Sequence, residues 1–246
     1  MIKLTNLDYI YPAGDTALST VSLAVAKGEL LGLVGANGSG KSTLMSLMAG
    51  LYTPSGGSLE IDGRVSPGSE KDIRSLCRLV MQDADLQILG ATVEEDLLMG
   101  RKRSEESVAA AKAMAARFNL LEMWDKPVQT LSWGMKRKLC LGAALLDNPR
   151  VLLLDEPFSG LDFPGMREMR KIIVENKQAG LTQVVSLHDL ECLVDLVDNL
   201  AVLNTGQLVL DGPPESVLDH VIEHGVRPPC AWSAGLGVAA WDEGSA

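Results

Sequence analysis

Residues 35–43 read GANGSGKST, and no other segment limits the fold of this chain so tightly. The segment fits G-x-x-x-x-G-K-[ST] at Gly35, Gly40, Lys41 and Ser42, directly after the apolar run LLGLV and ahead of a helical stretch. A strand before and a helix after turn a glycine-rich turn into a phosphate cradle. Its backbone at Gly35, Asn37, Gly38, Ser39 and Gly40 can aim successive N–H groups at phosphate oxygens, at the positive end of a helix dipole. Lys41 then reaches β- and γ-phosphates, and Ser42, followed by Thr43, supplies a hydroxyl for Mg2+.

The rest of the chain agrees with such a core. Short apolar runs at Leu30–Val34, Leu79–Met81, Val151–Leu154, Gln183–Leu187 and Leu200–Leu203 suit parallel strands buried on both faces. Helical patterns lie between them, at 41–50, 105–118, 133–147, 165–179 and 189–197. Thr92 with Glu95 forms a capping box, Asn148-Pro149 stops the helix before it, and Gly180 closes 165–179. Alternation of this kind predicts an α/β fold with a mainly parallel sheet. The first 30 residues and the segment SLEIDGRV alternate as strands without an intervening helix, which predicts an antiparallel β-subdomain beside the core. From about 92 to 147 the pattern is nearly all helical and reads as an inserted helical lobe. The expected division is 1–220 as one domain and 221–246 as a loosely ordered tail. The tail's tryptophans, Trp232 and Trp241, offer the alternative of docking on a partner.

At 246 residues the chain holds one large domain or two small ones, and 46 % hydrophobic residues are ample for a core. Aromatic residues are only 4 %, so aliphatic side chains must fill it. The formal net charge of -10 disfavours non-specific binding to nucleic acid or anionic lipid. No apolar run reaches the ~20 residues of a bilayer span, and Asn6 and Asp8 interrupt the place of a secretory signal. A cytoplasmic location follows as an expectation, and with it reduced thiols at Cys77, Cys140, Cys192 and Cys230.

The apolar run VLLL ends in Asp155 and Glu156. Strand carboxyl ends are where ligands collect in an open α/β sheet. Asp155 is placed for the Mg2+ shell and Glu156 for general-base activation of a water. With the phosphate loop, the pair points to nucleoside-triphosphate hydrolysis.

Further segments carry a family resemblance over residues 1–220. Gln82 follows a strand in LVMQDADLQ, LSWGMKRK occupies 131–138, SGLD occupies 159–162, and His188 follows QVVSL. In that order they resemble the Q-loop, signature, D-loop and switch histidine of the nucleotide-binding subunit of an ATP-binding-cassette transporter. The resemblance implies that two cassettes meet head to tail, with each ATP between one phosphate loop and the other subunit's signature. It implies Ser132 and Gly134 on the partner's γ-phosphate and Asp162 in the D-loop. It places Tyr11 against adenine, Gln82 at Mg2+ and the attacking water, and His188 on the γ-phosphate beside Glu156. QDADLQIL, ATVEEDLLMG and YIYPAGDTAL are similar to the energy-coupling-factor importers, which carry cobalt, nickel or vitamins through separate membrane proteins. Integral membrane subunits and a peripheral position on the cytoplasmic face are implied. The turn Glu94, Glu95 and Asp96 suits a helix dipole and a groove for a membrane subunit equally.

The signature departs from the family at Trp133, where a glycine is usual, and at Met135, where glutamine is usual. A ring there is expected to crowd the phosphate approach, so that Trp133→Gly equals or exceeds the parent in activity. Whether the second cassette is a copy or a different chain stays open. Other readings are a cassette of another transporter class, a weakly active assembly cassette, and a soluble ATPase acting on nucleic acid or ribosomes. Against the last stand a single cassette, no heptad run between the motifs, and the net charge.

Overall fold

The apolar run Leu30–Val34 has every residue buried, and its side chains divide between two cores. Leu30 and Val34 pack on one side of the strand, Leu31 and Leu33 on the other. Val151–Leu154 divides in the same way. A strand covered on both faces can only be central, and the layers of the molecule follow from that.

The computed structural model describes residues 1–240. The chain opens with strands β1 (Ile2–Ile10), β2 (Thr16–Val25) and β3 (Leu30–Val34), then helix α1 (Lys41–Met48). Next come β4 (Gly56–Ile61), β5 (Arg64–Ser66), α2 (Glu70–Leu76) and β6 (Cys77–Val80). The helical lobe holds α3 (Val93–Leu97), α4 (Glu105–Arg117) and α5 (Trp133–Leu145). The core resumes with β7 (Val151–Leu154), α6 (Phe163–Gln178), β8 (Thr182–Leu187), β9 (Asn199–Asn204) and β10 (Gln207–Gly212). Two short helices, α7 (Pro214–Val217) and α8 (Cys230–Ser233), complete the described elements.

One sheet runs β10-β9-β3-β8-β7-β6, parallel throughout except for the antiparallel edge strand β10. The other, β2-β1-β4-β5, is antiparallel. The expected fold class is therefore the observed one. α1 and the antiparallel sheet share one core with a face of the parallel sheet, and the helical lobe joins the core on the other face.

Two corrections to the sequence reading have physical causes. Residues 189–197 form turns, not a helix. Leu190, Leu193, Val194 and Val197 are buried at helical spacing. However, the Cys192 carbonyl accepts from Arg170 Nη1 at 2.9 Å and the Leu196 carbonyl from Lys177 Nζ at 2.6 Å. Arg170 of α6 thus occupies the acceptor that a helix would give to the Leu196 N–H, which bonds the Leu193 carbonyl instead at 2.9 Å. The strand expected at Leu79–Met81 runs instead from Cys77 to Val80, ending before Met81, whose N–H is taken by Gln87 Oε1 at 3.0 Å.

Beyond residue 220, Val221 and Val226 are buried, and Trp232 Nε1 donates to Asp219 Oδ1 at 2.9 Å. Trp241 lies outside the described residues. No helix among the described residues is long and apolar enough to cross a membrane.

Candidate active site

β3, β8, β7 and β6 lie side by side and parallel, so their carboxyl ends share one edge. The glycine-rich loop leaves β3, His188 follows β8, Asp155 and Glu156 follow β7, and Gln82 lies just past β6. The loop, His188, Glu156 and Gln82 face a cleft of about 900 Å³, within the ~300–1,000 Å³ usual for small-ligand sites.

The loop is shaped by close backbone approach. Gly35 has φ +153°, and a Cβ there would lie 2.2 Å from the Leu203 carbonyl oxygen, so no other residue fits without moving β9. Gly40, at φ +103°, precedes α1 with the Ala17 carbonyl 2.9 Å from where a Cβ would sit. Lys41 is buried, and its Nζ donates to the carbonyls of Gly35 at 2.8 Å and Ala36 at 3.2 Å. Burial pulls the ammonium below its ordinary pKa, while the carboxylates of Glu156 and Asp155 act in the opposite sense. The Ser39 hydroxyl is buried beside the cleft without a hydrogen-bond partner.

Glu156 is the charged centre opposite. Its backbone is left-handed, φ +47°, and both of its backbone polar groups are held by side chains. Its N–H donates to Ser186 Oγ at 2.8 Å, and its carbonyl accepts from Arg137 Nη1 at 2.9 Å. Ser186 in turn donates to Asp155 Oδ1. Gln82 Nε2 donates to Glu156 Oε2 at 2.9 Å, closing the segment after β6 onto the acidic pair. Tyr11 also lines the cleft, its hydroxyl 2.7 Å from Thr43 Oγ1 and its ring edge-on to Tyr9.

Of the residues singled out in the sequence, Tyr11, Asn37, Gly38, Ser39, Gly40, Lys41, Ser42, Thr43, Gln82, Glu156 and His188 line this one cleft. Gly35 and Asp155 support it through the contacts above. Ser132, Gly134 and Asp162 do not reach it. They line a separate hollow of about 240 Å³ between α5 and α6. Ser132 caps α5, accepting from the Met135 N–H at 3.3 Å, and Asp162 caps α6, accepting from Gly165 at 3.0 Å. Trp133 is 41 % exposed and is not among the residues lining that hollow. It covers the Arg137 guanidinium at 5.0 Å from the ring centroid and lies against Gly160.

Arg137, Ser186 and the Thr205–Gly206 turn are parts of the site that the sequence reading did not find. Ser186 had a signal, as the one polar residue within VVSL. Arg137 had none, since KRK reads as a solvated run.

A protein-family model described as ABC transporter matches residues 18–159. The chain is 37 % identical to the cobalt import ATP-binding protein CbiO of Rhodobacter capsulatus, over 91 % of this chain and 83 % of that protein. It is 33 % identical to the energy-coupling factor transporter ATP-binding protein EcfA3 of Clostridium perfringens, over 88 % of this chain and 79 % of that one. Among solved structures it is similar to cbiO1 of Clostridium perfringens, described as part of the ABC transporter complex cbiONQ. That similarity has a TM-score of 0.78 and 31 % identity, and it covers 89 % of this chain and 91 % of that one.

Proposed function

The chain belongs to the ABC transporter family, and from that premise we propose that it is the ATPase subunit of an energy-coupling-factor importer for a transition-metal ion such as cobalt or nickel, or for a vitamin. ATP hydrolysis goes with the family. The import role draws on the relatives named for cobalt import and energy coupling. The observation that carries the catalytic reading is the Gln82–Glu156 contact, set in a cleft that also holds the glycine-rich loop and Lys41.

The residues suit a nucleotide and Mg2+. The cradle has no room for a Cβ at Gly35 or Gly40, and the Ser39 hydroxyl is buried with a free valence on the cleft wall. Ser42, Gln82 and Asp155 offer hard oxygen donors of the kind Mg2+ accepts alongside phosphate oxygens. Held there, Mg2+ would neutralise charge on the phosphates. Loop N–H groups and Lys41 bind the phosphates, and Tyr11 faces the base. Glu156 accepts a proton from a water as the water oxygen bonds to the γ-phosphorus and the bond to the leaving oxygen breaks, giving ADP and phosphate. Gln82 orients that carboxylate and the water, and His188 contacts the γ-phosphate.

Ser132, Gly134 and Asp162 open on a different surface, so they serve a nucleotide held by a second cassette packed head to tail. The net charge of -10 makes nucleic acid an unsuitable partner. Membrane subunits hold the cargo, and this chain sits peripherally on the cytoplasmic face. Glu156→Gln is expected to lower turnover by ~10²–10⁴, the size of a general-base effect, while nucleotide titration shows binding retained. Parent-like hydrolysis by that variant removes Glu156 as the base.

A further inference from the structure

We propose that Arg137 is a positioning residue for Glu156 and Gln82, and that Trp133 holds its guanidinium in place, so that the opening turn of α5 sets the hydrolytic geometry within the same chain. The proposal rests on the reading of Glu156 as the base.

Arg137 is 1 % exposed, the largest fully buried side chain among the described residues. Its two terminal nitrogens divide their bonds. Nη1 donates to the Glu156 carbonyl at 2.9 Å, and Nη2 to the Gln82 carbonyl at 2.8 Å. The side chains of those same residues meet at 2.9 Å, so a closed ring of hydrogen bonds joins three elements. The planar fork reaches the two carbonyls from two separate nitrogens, whereas a lysine ammonium would donate to both from one atom without that fixed geometry. The backbone held is an unusual one. A left-handed non-glycine residue persists when its surroundings over-determine it, and here Ser186 fixes the N–H while Arg137, together with the Ser159 N–H at 3.1 Å, holds the carbonyl.

Solvation of the cation is sparse. Nε is buried without a partner, and the neighbouring cations Lys136 and Lys138 pair instead with Asp85 and Glu168. Burial lowers the pKa of Arg137, and the nearby Glu156 carboxylate acts against that shift. The remaining cover is the Trp133 ring, 5.0 Å from the guanidinium carbon. Trp133 and Arg137 are four residues apart on one helix, the spacing at which side chains meet. Gly160 lies beside the ring, where an added Cβ would be in ordinary contact with it at 3.8 Å. The tryptophan therefore seals a contact and leaves the Ser132 cap clear, which reverses the outcome expected for Trp133→Gly from the sequence.

The full chain, with the cassette it pairs with, is assayed for steady-state ATPase, binding of a fluorescent ATP analogue, and thermal melting. Arg137→Lys is expected to lower kcat by about 10–100-fold, the cost of misplacing a reacting group by about 1 Å, with nucleotide affinity unmoved. Trp133→Gly lowers kcat several-fold, and Trp133→Phe, which keeps an aromatic face, loses less. Trp133→Gly added to Arg137→Lys brings no further loss, as expected for two residues acting as a unit. Unchanged kcat in Arg137→Lys, equal losses of kcat and affinity, or multiplying losses in the double variant would overturn the proposal. If Arg137→Lys does not fold, the half-exposed Trp133 decides, and parent-like kcat in Trp133→Gly sinks the idea. Glu156→Gln separates the two claims. Normal turnover in that variant removes the base reading itself, whereas its inactivity beside an active Arg137→Lys removes only the positioning role.

Discussion

Single side chains report on whether the elements around the cleft are packed. Cys77 opens β6, Cys140 lies inside α5 near the Ala84 carbonyl, and Cys192 follows the switch segment against Met166. Burial pushes the thiols of Cys77 and Cys140 up to about 12, and that of Cys192 to about 11, from an ordinary 9.0. Cys230 is exposed. An aromatic disulfide reagent at mild pH is therefore expected to label Cys230 ahead of the rest, and all four cysteines once the chain is unfolded. Simultaneous labelling of all four in the native protein contradicts the packing described. The same thiols set a pH window. Above pH 9.0 the unfolded chain loses these protons while the folded chain keeps them until about 11 to 12. The folded state then binds more protons, so stability falls as pH rises through that window. Urea midpoints measured from pH 8 upward should decline past about 9, the ordinary thiol range.

At the scale of elements, the residue assigned to the D-loop has a second task. Asp162 is the N-cap of α6, its carboxylate accepting from the Gly165 N–H at 3.0 Å, and Pro164 occupies the first turn. Loss of such a cap costs about 1 kcal/mol, which for a chain of this size is a drop of roughly 2–4 °C in Tm. Asp162→Ala should show that drop in a thermal melt, whereas Asp162→Asn keeps a capping oxygen and melts near the parent. Equal drops in both variants would mean that charge at Asp162, not the cap, stabilises the helix. An ATPase loss confined to Asp162→Asn at unchanged Tm isolates the functional part. The cap was legible in the sequence only as part of SGLD, and this pattern holds elsewhere. β3 and β7 match their apolar runs end to end because both faces are covered, so periodicity has nothing to disguise. α2 escaped notice because only Ile73 is buried along it, and β10 because an edge strand of partly buried residues has no clean alternation. Residues 189–197 show helical spacing, yet Arg170 of α6 claims the Cys192 carbonyl, a tertiary event invisible in local sequence. Within MKRK, three cations look alike, and only packing selects Arg137 for burial.

For the whole molecule, the net charge of -10 is compatible with the nucleotide binding proposed above, because that binding would be local, through backbone N–H groups and the one lysine buried in the loop. On the importer reading proposed above, attachment to a membrane subunit would likewise come from a local surface. Leu86, Leu89 and Met99 are 69 %, 76 % and 49 % exposed. Leu89 and Met99 line a groove of about 170 Å³ between the segment after Gln82 and α5, rimmed by Arg78 and Arg101, both paired with Asp147. The groove is rigidly shaped. Asp96 Oδ1 accepts from the N–H groups of Leu89 and Gly90 at 2.9 and 3.0 Å, and Gln87 Nε2 donates to the Leu79 carbonyl at 2.9 Å. The acidic turn thus holds an apolar loop toward solvent, an arrangement that stabilises the isolated chain little and suits an apolar helix face of a membrane subunit. A surface change at Leu89 should alter folding by no more than about 0.5 kcal/mol. Leu89→Glu is therefore expected to leave Tm and the ATPase activity of the isolated chain at parent values. Co-expressed with candidate membrane subunits of such an importer, the same variant should be recovered away from the membrane fraction, while the parent sediments with it. Membrane recovery equal to the parent would show that attachment runs through another surface, and a parent that stays out of every membrane complex would remove the importer reading altogether.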